Sequence, residues 1–368
     1  MKSSAAYGGP FVFSHTFTEI AAVTDAIWSN ITGRPFNLEF AVTHNCNSRC
    51  LMCNQWQNKS IDELTLEEIS RIFLSYRDLK VVGITGGEPT LRTDLTEVID
   101  VISRSQDLRM LFLTTNGHLP ERTKHYVSKI LDGMRNRGRC PLLRVLVSLD
   151  GPKEIHNRIR GVPTAYDNAL RTIRLLADLQ REYDNFRLGT ITTYGPFNYE
   201  QFGEVLFEIS KLSSEYDLES GICVAWRGNL YNNDIRFEHL RELVSWKEEI
   251  KHVLGKHSST LVDGRKLFFD LSESFLKRWR QVVPCGAARI RYYMDACGRL
   301  FPCVVWDNAV ADLRKNGYNL RAAIDSSRRH LVRKQVRDGQ CPICFLTCEM
   351  IPSMMANPLA AIWRKWVP

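Results

Sequence analysis

The chain has 368 residues, 44% of them hydrophobic, and a formal net charge of +8. This length and composition suit one large domain with an accessory region and exclude a disordered chain. No apolar run reaches the ~18–20 residues of a membrane helix, and Met1 to Pro10 lack a signal-peptide pattern, so a cytoplasmic protein with no membrane partner is expected.

Residues 1–35 read as a loose arm followed by a helix. Phe17, Ile20, Ile27, Trp28 and Ile31 recur at helical spacing, and Pro35 is expected to stop the helix. A regular alternation then begins. Short β-rich runs fall at 36–42, 81–85, 110–114, 144–149, 187–192 and 222–226. Amphipathic stretches lie near 65–76, 94–105, 121–134, 165–180, 199–212 and 235–253. Thr65 stands three residues before Glu68, and Asp94 three before Glu97, the spacing of a capping box. Repeated strand–helix units predict an α/β protein with a parallel sheet. An open doubly wound sheet and a partial barrel both satisfy this pattern, and in either, ligands gather at the C-terminal strand ends. Cys46, Cys50 and Cys53 follow the first strand, and Gly86-Gly87-Glu88-Pro89 follows the second. Thr114-Thr115-Asn116-Gly117, Ser148-Leu149-Asp150-Gly151, and Thr190 with Thr192 end the next three. Together they describe one site.

After about residue 255 the alternation stops. A helix near 266–281 leads into a Cys-rich region, with a hairpin at Tyr292–Val304 turning near Gly298, then a basic helix near 319–337. Lys277 to Arg337 hold fourteen Lys/Arg and four Asp, a local balance of +10. Such a stretch attracts nucleic acid or anionic ligands. Compensation for an anionic cluster is the plainer reading, and nucleic acid is not expected as a partner.

Eleven cysteines, an odd number without an export signal, argue against a disulfide framework. They group at 46–53, 285–303 and 341–348, with only Cys140 and Cys223 alone, and so read as metal or cluster ligands. Cys46, Cys50 and Cys53 can wrap one iron–sulfur cube and leave the fourth iron without a protein ligand. A structural zinc site would want a fourth closed ligand, and none follows locally.

Cys46-x3-Cys50-x2-Cys53 after a first strand, with Gly86-Gly87-Glu88-Pro89 further on, resembles the signature of the radical S-adenosylmethionine (radical SAM) superfamily. The resemblance implies a [4Fe–4S] cluster on the three cysteines with exchangeable SAM on the open iron. The reduced cluster would pass an electron to the sulfonium, giving methionine and a 5′-deoxyadenosyl radical that abstracts a substrate hydrogen. In that setting Gly86 and Gly87 allow close backbone approach. Glu88 and nearby carbonyls would accept from the methionyl ammonium, and Pro89 fixes the turn. Thr115 and Ser148 offer hydroxyls for ribose and carboxylate, with Thr192 at the next strand end; strand capping is the other reading of these hydroxyls.

The run from Val147 to Pro152, continuing to His156, Arg158, Arg160 and Gly161, resembles the SPASM/twitch branch. Arg158 and Arg160 would pair with a carboxylate of SAM or substrate, or form a solvated loop. Cys285, Gly298 and Cys303, then Cys341 and Cys344, resemble the branch's auxiliary [4Fe–4S] ligands. No cysteine follows Cys348, so one auxiliary cluster is expected, leaving Cys297 and Cys348 spare. Two incompletely ligated clusters and a four-Cys zinc site remain as alternatives.

The implied fold is a partial (β/α)6 TIM-like barrel over 36–255, with a small Cys-rich twitch/SPASM-like α+β domain over 256–368. The implied partners are SAM, an external one-electron reductant such as flavodoxin or ferredoxin, and a peptide or small-molecule substrate. The expected reaction is oxidative, the auxiliary cluster accepting or relaying an electron. Epimerisation, with hydrogen returned by Cys348 or Cys223, is the alternative. A non-catalytic iron–sulfur or zinc protein engaging nucleic acid through 277–337 is the reading from another class.

Overall fold

The computed structural model describes residues 15–57, 62–137, 141–228, 233, 235, 237, 239–255 and 264–366. Helix α1 (His15–Thr32) ends at Gly33, whose φ is +72° and whose N–H bonds Ser29 O at 2.8 Å. A left-handed glycine therefore terminates it before Pro35 is reached.

Six strands follow: β1 (Asn37–Ala41), β2 (Val81–Thr85), β3 (Met110–Thr115), β4 (Leu142–Ser148), β5 (Phe186–Tyr194) and β6 (Glu219–Val224). Between them run α2 (Leu66–Leu74), α3 (Leu95–Ser105), α4 (Pro120–Asn136), α5 (Lys153–Arg160), α6 (Ala165–Glu182) and α7 (Phe202–Tyr216). All six strands pair in parallel, each with its sequence neighbour. A doubly wound sheet reverses its strand order at a switch point. Here every strand is added on the same side as the last, so right-handed crossovers place all helices on one face and the sheet curls toward a barrel. The helix-facing side supplies Leu38, Phe40, Val82, Ile84, Leu111, Leu113, Val145 and Val147 to one buried core with Ile69, Phe73, Val98, Val127 and Ile173. By register, Glu39, Arg144, Ser148 and Cys223 fall on the opposite, barrel-lining face.

Local signals succeed or fail for visible reasons. Thr65 forms the capping box: its hydroxyl accepts from Glu68 N at 3.3 Å and Glu68 returns to Thr65 N at 2.8 Å. Asp94 caps nothing, because the Arg92 guanidinium holds its carboxylate at 2.7 Å. The stretch expected as one helix over 235–253 is two, α8 (Leu240–Leu243) and α9 (Lys247–Gly255).

After α10 (Gly264–Arg278), β7 (Arg291–Met294) pairs in parallel with the outer edge of β1, Asn37 opposite Arg291. β8 (Arg299–Phe301) returns antiparallel, turning at Gly298 with φ +85°, and β9 (Ala311–Asp312) closes a nine-stranded sheet. The expected basic helix is broken into α11 (Leu320–Ile324) and α12 (Ser327–Arg337), because Ser326 caps the second by accepting Arg329 N–H at 3.1 Å. α13 (Thr347–Ala356) and α14 (Pro358–Trp366) complete the chain, and α13 packs against α1, α10 and β6. Among the described residues no helix is long and apolar enough to cross a membrane.

Candidate active site

The loop after β1 carries Cys46, Cys50 and Cys53, and the turn after β2 is its mould. Gly87 N donates to Thr43 O at 2.8 Å and Glu88 N to Asn45 O at 2.7 Å. A Cβ on Gly86, where φ is +144°, would stand 2.3 Å from Thr43 O; one on Gly87 would stand 2.2 Å from Asn45 O. The two glycines thus admit the cysteine loop itself. Glu63 holds the loop from the other side, accepting from Thr43 Oγ1 at 2.9 Å and His44 N at 2.7 Å.

Glu88 is 1% exposed and both its oxygens face protein donors. Thr90 N, Thr90 Oγ1 and Thr115 Oγ1 donate to Oε1 at 3.1, 2.7 and 2.7 Å, and Asn116 N donates to Oε2 at 2.7 Å. Burial raises its pKa against these donors. The Thr115 hydroxyl also accepts from Gly117 N at 3.1 Å, so it serves the ends of β2 and β3. Asn116 reaches back to Asn47 Oδ1 at 2.7 Å and Ser48 Oγ at 3.1 Å. Pro89 opens a single 3-10 turn. Thr192 donates to Leu149 O at 2.6 Å, while the hydroxyl of buried Ser148 has no partner among the described residues.

The segment after β4 is helical where a solvated loop is one expectation. Its residues form α5, whose last turn closes on the cysteine loop at Gly161, with φ +64°. Arg49 N donates to Arg160 O and Leu51 N to Ile159 O, both at 2.9 Å. Arg160, 8% exposed, donates through Nε to Asp150 Oδ2 at 2.7 Å and through Nη1 to Cys50 Sγ at 3.7 Å. Asp150 Oδ1 accepts from Thr193 N at 2.9 Å, and Asp150 N donates to His156 Nδ1 at 3.0 Å. Arg158 lies outward, bonding Phe197 O at 3.0 Å beside a groove that Leu51 and Tyr199 also line.

Burial holds His156 neutral, with its pKa down to about 3, the nearby Asp150 opposing. The unfolded imidazole titrates near ~6.5. A depressed pKa stabilises the fold fully above that value and less as pH falls toward the folded one. Calorimetric scans from pH 7 to pH 5 are expected to lose stability at about 1.4 kcal/mol per pH unit below ~6.5 from this group; His156→Asn flattens that dependence.

The second cysteine group lies at the opposite end of β1 and β7. Cys285 precedes β7, and Cys303 follows the returning β8. Cys344 feels the charge of Cys303 and Cys285, and Cys285 that of Cys341. Cys297 instead sits at the hairpin tip, its N–H on Asp295 Oδ1 at 3.0 Å. Cys348 is near Arg291, Cys223 and Glu39, and Cys223, on the barrel-lining face, lies beside Thr347. Arg291, 1% exposed, is flanked by Glu349 at 3.5 Å and Glu39 at 3.8 Å. Cys140 lies outside the described residues.

The sulfurs are met by hydrogen-bond donors. Besides Arg160 on Cys50, Ser48 N points at Cys46 Sγ at 3.4 Å, Ala287 N at Cys285 Sγ at 3.5 Å and Gln281 Nε2 at Cys344 Sγ at 3.9 Å. Such donors suit thiolates of an anionic iron–sulfur cluster. As free thiols, burial pushes Cys46 and Cys285 up to about 11 and Cys53 up to about 12, so ligation must displace their protons. Among the described residues no three His, Cys, Asp or Glu side chains close around one metal ion.

A partial parallel barrel carries three loop thiols at its C-terminal rim, and residues 40–209 match the model of the Radical SAM superfamily. GTP 3′,8-cyclases of Haemophilus ducreyi and Actinobacillus pleuropneumoniae serotype 5b are 29% and 30% identical over 160 residues, 40% of this chain and 45% of each relative. A probable GTP 3′,8-cyclase of Archaeoglobus fulgidus is 31% identical over 153 residues, 38% of this chain and 47% of that protein. The match spans less than half the length of these relatives. Among solved structures, native anSMEcpe with bound AdoMet superposes with a TM-score of 0.59 at 16% identity, covering 90% of this chain and 98% of that one. Streptococcus suis SuiB bound to S-adenosylmethionine gives 0.58 at 13%, covering 91% and 78%. At such identities the likeness is one of fold.

Proposed function

We propose that this protein is a SPASM/twitch-type radical SAM enzyme, with the radical core in 36–255 and an auxiliary centre in 256–368. Cys46, Cys50 and Cys53 would hold a [4Fe–4S] cluster with SAM, and Cys285, Cys303, Cys341 and Cys344 a second cluster. The observation that carries the reading is the cysteine loop pinned by Gly86-Gly87-Glu88, with amide and guanidinium donors aimed at its sulfurs. When bound and reduced, the first cluster and SAM supply a 5′-deoxyadenosyl radical that removes a substrate hydrogen. The protein's own residues fix the geometry. Gly86 and Gly87 seat the loop, Pro89 sets the turn, and Glu88 and Thr115 lock the ends of β2 and β3. The Ser148 hydroxyl, with Thr192 behind it, is offered to SAM.

The auxiliary centre would accept or relay an electron, making the net reaction oxidative, with an external flavodoxin- or ferredoxin-like reductant feeding the first. The substrate would be a peptide or a small molecule. SuiB has been solved with its precursor peptide SuiA, and the relatives matched in sequence are named for GTP. A second reading, hydrogen return and epimerisation, is favoured by Cys223 on the barrel-lining face with Cys348 beside it. Solvent deuterium at the reacting carbon distinguishes it from the oxidative route.

The test is direct. Anaerobically reconstituted protein should hold about eight irons per chain and, with dithionite, convert SAM to methionine and 5′-deoxyadenosine. Intact clusters without 5′-deoxyadenosine would overturn the reading in favour of a binding module. Zinc with only about four irons would remove the second cluster.

A further inference from the structure

The three thiols of the first loop are not treated alike. Cys46 receives a neutral backbone N–H from Ser48. Cys53 has a backbone N–H from Gln55 beside it. Cys50, the most buried of them, is the one with a charged donor, Arg160 Nη1. The chain takes several steps to deliver that donor. The last turn of α5 is bonded to the residues on both sides of Cys50, at Arg49 N and Leu51 N. Gly161 lets the backbone pass so close that a Cβ there would stand 2.8 Å from Arg49 O. Asp150 fixes the guanidinium through Nε and is itself fixed by Thr193 N. An arginine oriented this way is not positioned as a solvent-facing partner for a carboxylate.

We propose that Arg160 is a positioning residue that sets the reduction potential of the cluster on Cys46, Cys50 and Cys53, and that Asp150 tunes it in the opposite sense. The inference rests on the radical SAM reading. Reduction adds one electron, and so one negative charge, to the cluster. A buried cation bonded to a ligand sulfur favours the reduced form, whereas the Asp150 carboxylate on the far side of the same guanidinium disfavours it. Burial makes both effects larger than at a surface. The pair holds the potential between two limits: low enough for the cluster to reduce a sulfonium, high enough for an external reductant to fill it.

The experiment is an EPR-monitored redox titration of the full chain, anaerobically reconstituted and poised where half of the wild-type cluster is reduced. The signal that SAM perturbs reports the cluster with the open iron. Arg160→Met should lower the reduced-to-oxidised ratio about tenfold, which for a one-electron couple is about 59 mV. Asp150→Asn should raise the ratio. Arg160→Lys keeps the charge without the oriented N–H and should fall between wild type and Arg160→Met; it also serves if the methionine variant loads iron poorly. Opposite shifts from the two neutralising variants are what a merely structural contact would not produce. Unchanged ratios at full iron content, or shifts in the same direction, would overturn the inference while leaving the radical SAM reading intact. A wild-type chain without a SAM-sensitive signal would instead overturn that reading, and this inference with it.

Discussion

Gly86→Ala is expected to yield a folded barrel that no longer holds the cluster proposed for Cys46, Cys50 and Cys53. The new Cβ would sit 2.3 Å from the Thr43 carbonyl, a backbone atom that yields only if the cysteine loop moves. The φ of +144° adds strain that an L side chain rarely accepts. A cost of at least ~3 kcal/mol follows from the two effects together, concentrated at the rim. The strands of β2 and β3 lie below the clash in a fully buried core, so far-ultraviolet circular dichroism should stay near wild type. With the second cluster proposed for the cysteines beyond residue 280 untouched, iron bound per chain should fall by about half. Full iron retention would mean the loop accommodates the methyl group and the glycine is there for another reason.

Arg291→Met should be the most damaging single change in the C-terminal half. Arg291 is buried between Glu39 of β1 and Glu349 of α13. Neither pairing is an aligned hydrogen bond, and the guanidinium acts as a charge shared by two carboxylates. Removing one partner of a buried pair costs about 3–5 kcal/mol, because uncompensated charge is left behind. Burial already raises both glutamates, with Arg291 opposing. Without Arg291 they rise further and fold as neutral acids. Groups with raised pKa values stabilise below their unfolded titration and lose that contribution as pH rises through the folded value. The stability deficit of Arg291→Met relative to wild type should therefore shrink as pH is lowered toward 5. Adding Glu349→Gln should recover part of it, a coupling that a denaturation cycle measures. A pH-independent deficit would show that lost packing, not charge, is the cause.

The elements with short-range causes are legible in the sequence. The alternation of β-rich and amphipathic runs places six parallel strands within a few residues, and Gly298 marks a hairpin tip. Choosing barrel over open sheet requires the strand order, which only tertiary pairing supplies. At Asp94, capping-box spacing fails because Arg92 offers the carboxylate a stronger partner. Helix α5 is hidden because its charged residues resemble a solvated loop, although Gly161 carries a stop signal. At the site, the cysteines and the Gly-Gly-Glu-Pro turn announce themselves by spacing. The Glu88 carboxylate does not reveal its partners, since Thr115 and Asn116 come from another strand. The Glu39–Arg291–Glu349 group, drawn from three remote segments, leaves no sequence trace.

The pairing of β1 with β7 also has a consequence in time. Asn37 finds its partner only when Arg291 has been made. Contacts so remote in sequence form late, after the closure of a long loop. During synthesis β1 can join β2, but its other edge must wait for the hairpin to leave the ribosome. The loop bearing Cys46, Cys50 and Cys53 hangs from that strand and stays less well anchored through the interval, its thiols open to oxygen and to stray metal. A nascent chain arrested before residue 291 should expose these thiols to alkylation several-fold faster than the finished protein. Assembly of the cluster proposed for this loop would accordingly follow the emergence of residues 291–301, when both edges of its strand are closed.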